Sequence, residues 1–366
     1  SCWHATCCGL TSTDRRIENT QRPGQRAAGL NQDTRMQDLM SNYYVGCDLG
    51  GTNLKAALVN ESTGKVLNPI QILTQAWEGH DAVMARMADL INRVIEGSGV
   101  PRSQVGGIGI GVPGVIDLEK GTTLFLPNLP GTWPNVPLAD TISSQTGLPV
   151  SLLNDVRSIT YGEWMFGAGR GVETMVCFAI GTGVGGGLII NNQLHLGMGG
   201  TAGELGHMTI NFNGPQCGCG NYGCLEAFAS GPAIAAQGAK AVMQGLTTII
   251  GDLVEQDLNK ITPEVIARAA MQGDRIAQRI FEDAGKYLGV AIANVLITVT
   301  PQRVVIGGGV AKAGDLLLDP IRRTVNERVF VMPKEQVEIV PAELGTNAGV
   351  IGTALWAKQH RLAKTY

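Results

Sequence analysis

The chain reads as an α/β protein made of two similar lobes, and three observations carry that prediction. Short β-rich runs alternate with stretches of helical periodicity, the pattern of strands flanked by helices. A strand, a glycine turn and a second strand occur near residue 48 and again near residue 181, as expected of a duplicated unit. Finally, 366 residues with 44% hydrophobic content are enough to fill more than one core.

Residues 44–49, 54–59 and 65–73 are rich in β-branched and aromatic side chains and are separated by turn residues, which predicts three consecutive strands. Val83, Met87, Leu90, Val94 and Ile95 recur at helical spacing and place a helix over 81–96. A strand is expected at 105–112, then a Pro/Gly-rich loop over 113–137, a helix at 138–146 and a strand at 150–153. The first lobe closes here, so residues 43–153 form it, completed by the C-terminal helix at 346–366. The second lobe spans 154–345, opens with a helical pattern at 158–166, and repeats the strand theme at 174–180 and 187–190. Helical patterns dominate after Gly231, with strands at 303–306 and 336–340.

Composition removes several classes of function. A formal net charge of -3, with charges interspersed, offers no basic field for nucleic acid. Every long apolar run is interrupted by charge or glycine, so no transmembrane helix is expected and a cytoplasmic location is. Residues 1–42 carry Cys2, Cys7 and Cys8 with little apolar periodicity, and are expected to be a disordered or non-native extension. Met36 and Met40 stand just before the first strand as alternative starts.

Three glycine turns have a chemical reading. In Asp48-Leu49-Gly50-Gly51-Thr52-Asn53-Leu54-Lys55, the backbone N–H groups at a hairpin turn can form a nest for phosphate oxygens. The Asp48 carboxylate at the strand end is suited to hold a hydrated magnesium ion beside them. An ordinary Gly-Gly hairpin explains the glycines but not the flanking acid and Thr52. The second turn, Gly181-Thr182-Gly183-Val184-Gly185-Gly186, contains G-x-G-x-x-G, yet residues 188–195 read as a strand and an Asn-containing turn; a dinucleotide fingerprint must open a helix. The third, Gly307-Gly308-Gly309, comes after a strand and precedes a helix, and its flat backbone can receive a base or ribose. No P-loop motif is present.

Two further clusters complete the set. Asn154-Asp155 lies between a strand and a helix, where either residue serves as a helix cap, and beside phosphate turns Asp155 is also a candidate base. Within the segment 204–226, His207, Cys217, Cys219 and Cys224 match a four-coordinate zinc site, and Glu204 and Glu226 flank it. A disulfide with one thiol left over is the rival reading; Cys-x-Cys spacing and a reducing compartment disfavour it. Cys47 and Cys177 lie in apolar strands and read as small core residues.

Together, Asp48-Leu49-Gly50-Gly51-Thr52, Gly111-Val112-Pro113-Gly114, Asn154-Asp155, the second glycine turn, Ala202-Gly203-Glu204-Leu205-Gly206-His207 and the cysteine segment resemble the ROK family. That family groups bacterial sugar kinases with sugar-responsive repressors, and the resemblance runs from about Tyr44 to the C-terminal end. It implies the actin and hexokinase ATPase fold, two ribonuclease-H-like lobes with a cleft between them, and association into a homodimer. It also implies ATP-dependent phosphorylation of a hexose, with Asp155 as general base. Gly114, Asn128, Asn154, Glu204, His207 and Glu226 are then sugar contacts, His207 also serving a structural zinc. Asp48, Gly50, Gly51, Thr52, Asn53, Lys55, Gly181, Thr182, Gly183 and Gly308 fall to the nucleotide and its magnesium.

The segment Leu126-Pro127-Asn128-Leu129-Pro130-Gly131-Thr132-Trp133 looks like that of glucose-specific members, which favours glucose over other hexoses and N-acetylhexosamines. Two departures from the family pattern stand out. Val156-Arg157 replaces small or amide residues, and Arg157 is expected either to face solvent or to reach the phosphates. Asn53 and Lys55 vary the first turn, which leaves polyphosphate as a rival donor. A repressor of this family needs a helix-turn-helix domain, for which residues 1–42 are too short and irregular. A non-catalytic sugar-binding protein is the other alternative.

Overall fold

The computed structural model describes residues 42–364 apart from Asn128, so the expectation of disorder for the N-terminal extension lies outside the described residues. Two five-stranded sheets organise the chain. The first contains β1 (Tyr43–Leu49), β2 (Asn53–Asn60), β3 (Val66–Leu73), β4 (Val105–Val112) and, after the hairpin below, β7 (Val150–Asn154), in the order β3-β2-β1-β4-β7. The second contains β8 (Met175–Ile180), β9 (Val184–Ile190), β10 (Gln193–Leu194), β11 (Arg303–Gly307) and β12 (Glu338–Pro341), in the order β10-β9-β8-β11-β12. In both sheets the first three strands run antiparallel and the remaining pairs parallel. The predicted duplication is therefore a repeated topology, and both glycine turns join the first two strands of their sheets.

The first sheet packs α1 (His80–Gly97) and α2 (Leu138–Thr146) on one face, around Leu54, Met87, Leu90, Ile108, Ile110 and Leu138. Alternation along β2 and β4 supplies that face, and α1 presents its buried stripe at the expected spacing. The second sheet is covered by the short α4 (Glu226–Ala229) and by α5 (Gly231–Met243), α6 (Pro263–Met271), α7 (Arg275–Val299) and α8 (Asp315–Arg328), with Phe178, Ile292 and Leu317 at the centre. A third core lies between the sheets. It joins Tyr44 and Leu153 of the first to Met175, Cys177 and Val305 of the second through α3 (Asp155–Phe166) and α9 (Ala348–Lys364).

Missing side chains set how closely those two helices approach. A Cβ on Gly352 would stand 1.7 Å from the Ser158 carbonyl oxygen, and one on Gly162 2.3 Å from that of Ala348. The same helix lies on β1 and β4 over Gly46 and Gly109, whose hypothetical Cβ atoms would each come within 1.8 Å of α9 backbone. Trp356 seals the junction, its indole N–H donating to the Leu152 carbonyl at 3.0 Å. Cys47 and Cys177 are fully buried, as core residues should be.

The structure corrects the sequence reading over 113–137. Instead of an unbroken loop, this segment holds the hairpin β5 (Val115–Asp117) and β6 (Thr122–Phe125). Proline and glycine punctuation hides strands this short. No helix among the described residues is long and apolar enough to cross a membrane.

Candidate active site

The site is built where β7 ends and α3 begins. Asn154 is the N-cap: its Oδ1 accepts from the backbone N–H of Val156 at 3.0 Å and of Arg157 at 3.3 Å. Its Nδ2 donates to the Gly114 carbonyl at 3.1 Å. Gly114 has φ +91°, and a Cβ there would fall 2.2 Å from the Phe125 carbonyl oxygen, so only glycine fits. The capping role and the proposed sugar contact thus compete for the Asn154 amide, leaving one Nδ2–H for a ligand.

Asp155 is the first residue of α3 and is half-buried. Burial pushes its carboxyl up to about 7, and the Asp48 carboxylate adds to the rise; the Val156 N–H, at 2.8 Å, and Arg157 oppose it. Asp48, at the end of β1, is itself pushed up to about 6 by burial, with Lys55 opposing. Two acids whose charged forms are disfavoured therefore face one site. That arrangement suits one of them to take a proton near neutral pH and the other to welcome a cation. Asp48 lies beside α9, since a Cβ on Gly349 would stand 3.4 Å from its Oδ2.

Lys55 is engaged differently from the sequence expectation. Its ammonium donates to the Thr346 carbonyl at 2.6 Å, the Thr346 hydroxyl at 3.2 Å and Asn347 Oδ1 at 2.9 Å. Those bonds tie the first hairpin to the start of α9, and a phosphate contact would require exchanging them. Gly51, Thr52 and Asn53 are exposed at the turn, and the Gly50 N–H closes it onto the Asn53 carbonyl at 2.9 Å.

The second and third turns meet. Gly308, at φ +90°, packs so closely on Ile180 that a Cβ would stand 2.2 Å from its carbonyl oxygen, and nothing lies within 4 Å of a Cβ on Gly181 or Gly309. Bare backbone thus borders open space on both turns, with Thr182 exposed between Gly181 and Gly183. The Gly231 N–H donates to the Gly181 carbonyl at 2.8 Å, bringing the N-terminus of α5 to the same place. Beside Gly309 lies a hollow lined by Pro263, Glu264, Ala267, Phe281 and Val310. Of these, only the glycines carried a signal in the sequence.

His207, Cys217, Cys219 and Cys224 come together with all ligand atoms within 4.8 Å of one another. Cys217 Sγ is 3.7 Å from His207 Nδ1, and Cys219 Sγ is 3.8 Å from Cys224 Sγ. A tetrahedron with metal–sulfur bonds of about 2.3 Å has sulfur–sulfur edges of about 3.8 Å, so the donor set fits a metal ion of zinc's size. A disulfide, at about 2.05 Å, does not describe these thiols. With Nδ1 turned to the thiols, His207 Nε2 is 4.0 Å from Glu204 Oε2, as a residue serving both metal and ligand requires. Glu226 stands differently. Its Oε2 accepts from the Val184 N–H at 2.9 Å, and Cys217 Sγ lies 3.6 Å from its Oε1, so it links the metal loop to the second glycine turn.

Arg157 corrects the sequence reading. It is buried, with 3% of its side chain exposed, and points neither to solvent nor to the glycine turns. Its guanidinium donates to Asn154 Oδ1 at 2.8 Å, the Ala202 carbonyl at 2.9 Å, the Thr201 carbonyl at 3.1 Å and Glu204 Oε1 at 2.7 Å. Spacing along the sequence did not reveal it, because three of its partners lie more than forty residues away. Asn128 lies outside the described residues.

Two similar lobes, a capped acid between glycine turns and a Cys/His cluster define an ATPase-like fold of the actin and hexokinase kind. The chain belongs to the ROK family, whose profile matches residues 44–360. It is similar to a glucokinase of Thermotoga maritima, 38% identical over 320 residues that cover 86% of this chain and 97% of that protein. A xylose repressor of Caldicellulosiruptor bescii is 34% identical over 84% of this chain and 76% of the repressor. Among solved structures, a ROK family glucokinase from Streptomyces griseus in complex with glucose and AMPPNP superposes with a TM-score of 0.73. It is 32% identical and covers 87% of this chain and 99% of that one.

Proposed function

We propose that the protein transfers the γ-phosphoryl group of ATP to a hexose, glucose foremost, with Asp155 as general base. The observation that carries this is Asp155 itself: a half-buried carboxyl pushed up to about 7, capped in place by Asn154 and facing Asp48 and Glu204. A base poised near neutrality takes a hydroxyl proton as the oxygen attacks phosphorus. The similarity to glucokinases over nearly their whole length supports the acceptor, and the AMPPNP-bound relative supports ATP as donor.

The residues divide by role. Glu204, His207 and the free Nδ2–H of Asn154 hold sugar hydroxyls, with Gly114 beside Asn154, Asn128 as a further sugar contact and Glu226 bordering both sugar and phosphate. The backbone of Gly50, Gly51, Thr52 and Asn53 and of Gly181, Thr182, Gly183 and Gly308 receives phosphate and nucleotide, and the hollow beside Gly309 takes the base. Asp48 would hold magnesium, which supplies charge neutralisation on the phosphates; its own burial makes a cation welcome there. Zinc on His207, Cys217, Cys219 and Cys224 is structural, since all four positions are filled by protein. The lobe boundary is placed at 153/154, with α9 completing the first lobe, and the assembly is a homodimer, as the family leads one to expect.

Initial rates with glucose, mannose, fructose, allose, N-acetylglucosamine and N-acetylmannosamine, each with ATP or polyphosphate, test the reading. Glucose with ATP should give the highest kcat/KM. A better rate with an N-acetylhexosamine would change the substrate, and hexose binding without turnover by any donor would favour a sugar sensor, the role of the repressor relatives.

A further inference from the structure

Among the described residues Arg157 is the one buried lysine or arginine, and its partners are informative. They come from three places: the α3 cap at Asn154, the backbone at Thr201 and Ala202, and the carboxylate of Glu204. We propose that Arg157 is a positioning residue that clamps the hexose-binding wall onto the catalytic helix; this rests on the phosphotransferase reading above.

The geometry explains why an arginine does this. A guanidinium presents its donors in one rigid plane, so a single side chain can fix a carboxylate, an amide oxygen and two carbonyls relative to one another. Only one oxygen of Glu204 is taken. Its side chain remains 47% exposed, with Oε2 turned toward His207 and the cleft. The clamp thus holds Glu204 in one rotamer while leaving acceptor capacity for hydroxyls. Without it, the carboxylate of an exposed glutamate would sample several rotamers, and binding would have to order it. Through Asn154 the clamp extends to Gly114, just after the neighbouring strand β4. A small pocket lined by Gly114, Ile116, Asn154, Gly200, Thr201 and Glu204 lies at this junction. None of Arg157's partners belongs to the glycine turns, so the effect should fall on the sugar and spare the nucleotide.

Arg157→Met, Arg157→Lys, Glu204→Ala and the double variant Arg157→Met/Glu204→Ala test this through separate KM values for glucose and ATP and through glucose binding by calorimetry. Arg157→Met should raise the glucose KM and Kd by about tenfold or more, the scale of a lost charged hydrogen bond, and leave the ATP KM within about twofold. On the Glu204→Ala background the same change should add little, because the arginine acts through that carboxylate. An unchanged glucose Kd, an equal loss for ATP, or effects of the two substitutions that simply multiply would overturn the proposal. If the Met variant fails to fold, Arg157→Lys carries the test: it keeps the charge but loses the planar fork, and should still weaken glucose, whereas wild-type affinity would refute the clamp. A wild type that binds glucose but transfers no phosphate fails the functional reading alone, and the calorimetric comparison still decides the role of Arg157.

Discussion

Asp155 carries the proposed chemistry, and opposing influences meet on its carboxyl. Burial and the neighbouring Asp48 disfavour its charge, while the first N–H of its own helix and Arg157 favour it; burial dominates and the group titrates near 7. As a base it works only when deprotonated. We therefore expect kcat/KM for glucose to fall about tenfold per pH unit below roughly 7 and to level off above, as a pH–rate profile will measure. Stability should run the other way. The unfolded acid loses its proton near pH 4 and the folded one near 7, so the folded state binds more protons in between and its stability declines as pH rises through that window. Asp155→Asn should consequently unfold later than wild type at pH 7.5, by on the order of 1–2 kcal/mol after allowing for partial exposure. A flat rate profile between pH 5 and 8 would remove Asp155 from the proton transfer.

The metal loop and the glycine turns are coupled elements rather than separate motifs. His207 reaches toward Cys217 with Nδ1 and toward Glu204 with Nε2, and Glu226 spans from Cys217 to the Val184 N–H of the second turn. A loop with few apolar contacts of its own depends on such a staple to hold its shape. Cys219 is exposed, so Cys219→Ser should remove the metal with little disturbance of the core. Loss of zinc by elemental analysis should be accompanied by a weakening of glucose affinity of about tenfold or more. A zinc-free variant with wild-type affinity would mean that the metal supports only the fold.

How much of the molecule could be read in advance depends on how local its causes are. Strands β1, β2, β4, β8 and β11 were readable because β-branched runs end in glycine turns, and Asp155, His207 and the three cysteines because their chemistry lies within short motifs. The two-residue strand β10 and the β5–β6 hairpin were not, since neither is long enough to show a period. The crossing of α3 and α9 depends on Gly162 and Gly352, far apart in sequence, each of which reads alone as a weak spot in a helix. The place of Arg157 is hidden for a similar reason: three of its four acceptors lie more than forty residues away, and two of them are backbone carbonyls, which carry no side-chain signature. The same helix pair lies between the two sheets in a shared core, so Asp155, at the start of α3, sits at the junction of the halves.

Asp155→Asn tests that arrangement most directly, with phosphate transfer and sugar binding measured on the same preparation. The substitution should reduce kcat for glucose and ATP by about a thousandfold or more while calorimetry shows glucose affinity within a few fold of wild type. Turnover within tenfold of wild type would show that another group takes the proton and would contradict the assignment of Asp155 as the base.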